Sequence, residues 1–104
     1  MQPFSMVVTV PTAGTPVQLT TDNSIVCVSL LIKALASNAG PTVYVGRSAN
    51  FNATSGADLI VDINGVNQSF LVQASDGSNR IVPSQYWVGA ANSGDKLLVT
   101  YWVG

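Results

Sequence analysis

The sequence predicts an all-β protein, a single jelly-roll-like or Greek-key β-sandwich of about eight strands over residues 1–104. Three observations predict it. Apolar residues recur in short alternating runs, the period of a strand, and no window carries a helical period. Clusters of Gly, Pro, Asn, Asp and Ser interrupt the chain at roughly eight- to twelve-residue intervals, the rhythm of a sandwich or barrel. A length of 104 residues suits one domain with a real core.

The elements follow in order. Residues 1–4 read as a flexible arm, and the first strand is expected over Ser5–Val10. Further strands are expected over Pro16–Thr20, Ile25–Leu35, Thr42–Gly46, Leu59–Ile63, Gln68–Gln73, Arg80–Val88 and Lys96–Val103. Asn64-Gly65 and Asp76-Gly77 offer the positive-φ positions of tight hairpins, and Asn92-Ser93-Gly94-Asp95 makes a longer one. Asn38-Ala39-Gly40-Pro41 closes the long central strand, and Arg47 to Asp58 forms the one long loop. No internal repeat interrupts this plan.

Composition removes whole classes of function. The chain has no histidine, its only acids are five aspartates, and 9% of it is charged against 47% hydrophobic. Without histidine, the usual general base and the commonest metal ligand are missing. No nucleophile–base pair stands out, so no enzyme is expected. Four Lys and Arg residues and a net charge of −1 predict neither nucleic-acid nor membrane binding. The N-terminus has no basic and apolar segments of a signal peptide, and Ile25–Leu35 is too short to span a bilayer. Cys27 is alone and sits in an apolar strand, where it reads as a small hydrophobe. The sequons at Asn52 and Asn67 read as loop polar residues.

Candidate sites are few. Asp62-Ile63-Asn64-Gly65, with Asp58 nearby, matches a fragment of a calcium loop, but the later acidic ligand is missing. No metal or cofactor is expected. Tyr44, Tyr86, Trp87, Tyr101 and Trp102 could stack on a sugar. Tyr and Trp alternate in Tyr86-Trp87 and Tyr101-Trp102, however, so at most half of them can line one face.

Strand polarity is the stronger signal. In Ile25–Leu35 the even residues Val26, Val28, Leu30, Ile32 and Ala34 should face the core, yet Ile25, Cys27, Leu31 and Leu35 leave the other face mostly apolar too. In Lys96–Val103 the odd residues form one clean apolar face, with Leu98, Thr100 and Trp102 behind it. A half-solvated antiparallel strand should be polar outside. Loops or a barrel interior could cover such residues, as could another subunit. The composition favours a subunit, with Leu31, Trp87, Leu98 and Trp102 at or near the contact.

Ala13-Gly14-Thr15-Pro16-Val17-Gln18-Leu19 leads into Ile25–Ala34 and then Gly40-Pro41-Thr42-Val43-Tyr44-Val45-Gly46. Gln85-Tyr86-Trp87-Val88-Gly89 and Ser93 to Tyr101 close the chain. From about Thr12 onward this resembles small virion proteins of tailed bacteriophages. The resemblance implies a jelly-roll-like sandwich that decorates or cements a capsid, or sits at the neck or tail. It also implies assembly in the host cytoplasm, the major capsid protein or other virion proteins as partners, and a homo-oligomer, a trimer by capsid symmetry. It offers no catalytic residues. The segment Leu59–Arg80 departs from the pattern, with two hairpin signals in place of one Pro/Gly-rich strand.

Overall fold

Two four-stranded antiparallel sheets face each other in the computed structural model, which describes all residues, Met1–Gly104. The strands are β1 (Gln2–Thr9), β2 (Val17–Gln18), β3 (Ser29–Ala34), β4 (Thr42–Gly46), β5 (Leu59–Asn64), β6 (Ser69–Gln73), β7 (Trp87–Ala90) and β8 (Lys96–Val103). One sheet runs β1-β8-β3-β6 and the other β2-β7-β4-β5. The pairs β1·β8, β2·β7, β3·β6 and β4·β5 are those of one long antiparallel ribbon with its tip between β4 and β5. Rolling that ribbon adds the pairs β3·β8 and β4·β7. This is the jelly roll, and it resolves the choice the sequence left open between that topology and another Greek key.

The core between the sheets is aliphatic. Leu30 and Ile32 of β3, Val43 and Val45 of β4, Ile63 of β5, Val88 of β7, and Leu97 and Val99 of β8 are all buried. Branched aliphatic side chains fill such a thin layer at close-packed density and suit a pleated surface. The aromatic rings of Phe70, Tyr86 and Tyr101 pack against the margin of this cluster.

The expected turns form, but they do different work. Gly65, Gly77 and Gly94 all adopt positive φ. Asn64 and Asp76 do not, so the type I′ turn with two positive-φ residues is not made. The strands flanking Asn64-Gly65 and Asn92–Asp95 lie in opposite sheets, and these turns are arches from one sheet to the other. The only consecutive strands that pair are β4 and β5, joined by the long loop 47–58. That loop returns with a register shift at Val45/Gly46 and with Asp58 at φ 54, the one non-glycine residue in that region.

Three further expectations are corrected. Residues 1–4 do not form a free arm, because Gln2, Pro3 and Phe4 pair with Val103, Trp102 and Tyr101. The Phe4 ring also stacks on Tyr101 at 5.3 Å between centroids. Arg80–Val88 is not one strand. Pro83 lacks the N–H a ladder needs and starts a 3-10 turn, Pro83–Gln85, before β7 begins. Ile25–Leu35 keeps the expected burial at Val28, Leu30, Ile32 and Ala34 but not at Val26. Cys27 leaves the sheet to bridge Ile81, so Cys27 enters the core while Val26 is 38% exposed.

Asp95 braces one end of the sandwich. Its two carboxylate oxygens accept from Ala39 N (2.8 Å) and Gly40 N (2.9 Å), and the residue is buried. Its backbone N–H donates to Asn92 O, and its carbonyl accepts from Val10 N at 2.9 Å. The β1–β2, β3–β4 and β7–β8 connections therefore meet at one residue. A Cβ on Gly40 would meet the end of the Asn92 side chain, which would have to turn aside to admit it. Replacing Asp95 with Ala removes the acceptor of the buried Gly40 amide, worth about 1–3 kcal/mol when unpaired, and that of the exposed Ala39 amide, which water can satisfy. Asp95→Ala is expected to lower the unfolding free energy by about 1–3 kcal/mol in urea at unchanged m-value, and Asp95→Asn by less.

Candidate interaction surface

Antiparallel register sorts the residues of the β1-β8-β3-β6 sheet by face, because directly paired residues point the same way. Core-facing rows pair Met6 with Val99 and Ile32, and Val8 with Leu97 and Ala34. The outward rows are the intervening ones. Val7 pairs with Leu98, which pairs with Lys33. Ser5 pairs with Thr100, then Leu31, then Leu71. Pro3 pairs with Trp102, then Ser29, then Gln73.

Three of the four residues expected at a contact therefore share one surface. Leu31, Leu98 and Trp102 lie on the outer face of this sheet, each partly exposed. Val7 and Leu71 join them at 54% and 51% exposure. Val7, Leu98, Leu31 and Leu71 form a diagonal apolar band across all four strands. Lys33 is the only charged side chain in these rows, Lys96 opposite Thr9 follows in the next outward row, and no carboxylate lies among them. Ser5 and Thr100 spend part of their hydrogen-bonding capacity on each other at 3.3 Å, which lowers the polarity of the face further.

Trp87 stands apart from this group. It pairs with Gln18 and Gly46 in the opposite sheet, beside core-facing Val88, so it points out from the other side of the molecule. The four residues cannot form a single patch, because the sandwich separates Trp87 from the other three. The sequence reading also missed Val7 and Leu71. Both sit in runs of consecutive apolar residues, Met6-Val7-Val8 and Phe70-Leu71-Val72, which cannot be buried on one face alone.

The outer face of the β2-β7-β4-β5 sheet is built differently. Phe51, from the long loop, is buried against Gly46 and Gly89. A Cβ on Gly46 would overlap its ring, so the two glycines form the seat that pins the loop to the sheet. Asp58 accepts from the Ser48 hydroxyl at 2.9 Å, and Asp62 stands across the ladder from Tyr44. No group of three or more Asp, Glu, His or Cys side chains is assembled here or elsewhere.

Comparison of the chain with protein families, with curated proteins and with solved structures finds no match.

The titrating groups that depart from ordinary values serve the fold. Burial pushes the Cys27 thiol up, against a smaller opposing effect of the Ser29 backbone N–H. Burial likewise pushes the Tyr86 phenol up, with Arg47 opposing. Hydrogen bonds from Ser24 and Ser78, hydroxyl first and then backbone N–H, hold the exposed Asp22 and Asp76 carboxyls down. For Cys27 and Tyr86 the native state holds the proton more tightly than the unfolded chain does. Their contribution to stability is complete below the unfolded values of 9.0 and 10.0 and is lost as pH rises through the higher folded ones. With no histidine present, urea midpoints should stay level from about pH 6 to 8 and decline above about pH 9.

Proposed function

We propose that this chain is a non-enzymatic structural subunit of a tailed-bacteriophage virion, a decoration or cement protein that binds the capsid shell and stabilises it. The observation that carries the reading is the outer face of the β1-β8-β3-β6 sheet, with Val7, Leu31, Leu71, Leu98 and Trp102 apolar and partly exposed. A fully buried side chain of this kind contributes about 1.5–3 kcal/mol. A monomer that leaves several of them in water presents a surface suited to being covered. The sequence resemblance to small virion proteins supplies the context.

The face carries Lys33 and Lys96 and no acid, so it complements an apolar patch rimmed by carboxylates better than it complements itself. The shell protein is therefore assigned to this face. A homo-oligomer, a trimer on capsid symmetry, would use other surfaces. Stabilisation would be mechanical: many copies each bury modest area, and multivalency makes the sum resistant to expansion of the shell.

The test uses purified particles and two outward-facing variants. Quantitative mass spectrometry should find the protein in copies comparable to the major shell protein. Leu71→Asp and Trp102→Asp should fold, as judged by cooperative melting, and should bind particles at least about tenfold more weakly, the loss expected for one buried anchor. A small copy number would move the protein to the neck, tail or fibre. Absence from particles, or undiminished binding by both folded variants, would overturn the assignment.

A further inference from the structure

A cleft of about 350 Å³ opens on the outer face of the β2-β7-β4-β5 sheet, far from the apolar band on the other sheet. Tyr44 of β4 and Gly89 of β7 are neighbours in the ladder and line it from the sheet side. Asn52 and Thr54 of the long loop line it from one flank, and Gly14 and Pro16 of the β1–β2 connection from another. Its lining contains no charged residue. The nearest charge on the sheet is Asp62, which pairs with Tyr44 but lies outside the lining.

The polar groups are held ready. Asn52 Oδ1 accepts from the N–H groups of Thr54 (2.8 Å) and Ser55 (3.0 Å), which fixes the amide and leaves its NH₂ free to donate. Asn52 N donates to Ala57 O, and Gly56 N donates to Asn52 O, both at 2.8 Å, so the loop is closed on itself. Phe51, seated on Gly46 and Gly89, anchors it next to the cleft. The Tyr44 and Thr54 hydroxyls bond to nothing within the chain, although Tyr44 is half-buried. A rigid site with uncommitted hydrogen-bonding groups around an aromatic ring is preorganised for a ligand.

The chemistry of the lining selects the ligand class. An anion would find no cation there, and a metal no carboxylate or imidazole. A lipid tail would meet the Tyr44 hydroxyl and the Asn52 and Thr54 side chains and leave their hydrogen-bonding groups unpaired. A sugar ring has an apolar C–H face, suited to the Tyr44 ring, and hydroxyls that both donate and accept. The volume lies at the small end of ligand pockets, about 300–1,000 Å³. We propose that this cleft is a binding site for a neutral saccharide of one or two rings, read by Tyr44, Asn52 and Thr54. The inference rests on the cleft alone and stands or falls independently of the virion assignment.

The test is a titration of the ¹⁵N-labelled full chain with methyl glycosides of glucose, galactose, mannose and N-acetylglucosamine, up to about 50 mM, where millimolar affinities are readable. At least one sugar should give saturable shifts confined to the amides of Tyr44, Asn52–Thr54 and Gly89–Ala91. Tyr44→Ala should weaken that binding at least about tenfold. Asn52→Asp keeps the acceptor that closes the loop but removes the free donor, and should weaken binding about tenfold with the fold intact. The proposal is overturned if no sugar gives saturable shifts, or if sodium phosphate shifts the same amides more strongly. Binding that survives Asn52→Asp unchanged would also overturn it.

Discussion

β8 holds the middle of its sheet, paired along its whole length with β1 on one side and over Leu97–Trp102 with β3 on the other. Its odd residues Leu97 and Val99 are fully buried in the core, and its even residues Leu98 and Trp102 lie on the outer face. One strand therefore ties the core to the candidate contact surface. Side chains alternate with a strict period of two, so a one-residue slip of β8 would exchange the two sets and lose both at once. The Asp95 brace immediately before β8 opposes such a slip, since it fixes the start of the strand against Ala39, Gly40 and Val10.

Much of this architecture was legible from local pattern. Thr42–Gly46 and Lys96–Val103 form strands with the bounds their alternation implies, and the apolar outer face around Leu31, Leu98 and Trp102 follows from the same alternation. What escaped was long-range. A turn sequence such as Asn64-Gly65 specifies a sharp reversal, but nothing in it says whether the next strand pairs with the last or crosses to the facing sheet. The parity change between Cys27 and Leu30 likewise arises because Cys27 pairs with Ile81, a partner 54 residues away. Pro83 was the exception, a local signal against a strand that alternation alone overrode. Of the cleft only Tyr44 could be read, as one of five aromatic residues able to stack on a sugar. The cleft joins Gly14, Tyr44, Asn52 and Gly89 from four separate segments, each ordinary by itself.

The scarcity of charge acquires a meaning once the acids are placed. Asp95 braces three connections, Asp22 and Asp76 cap tight turns through Ser24 and Ser78, and Asp58 accepts from Ser48. Four of the five carboxylates are thus committed to local geometry, and Asp62 is the one with no such bond to another side chain or backbone amide. The two outer faces differ accordingly. One is an open apolar band with a pair of lysines. The other is covered in part by a pinned loop and holds a neutral, polar-and-aromatic cleft. A subunit with two such faces can lie on a support with one and present the other outward.

The pairing of β1 with β8 has a consequence for how the protein comes into being. β1 finds its partner only when β8, at Lys96–Val103, has been made. The β1-β8-β3-β6 sheet therefore cannot close until β8 has emerged, and it forms slowly in proportion to the loops it has to close. Loss of even the last few residues would strip Gln2, Pro3 and Phe4 of Val103, Trp102 and Tyr101 and unzip the sheet from its far end. The two termini of the chain thus act as one element, although the whole sequence separates them.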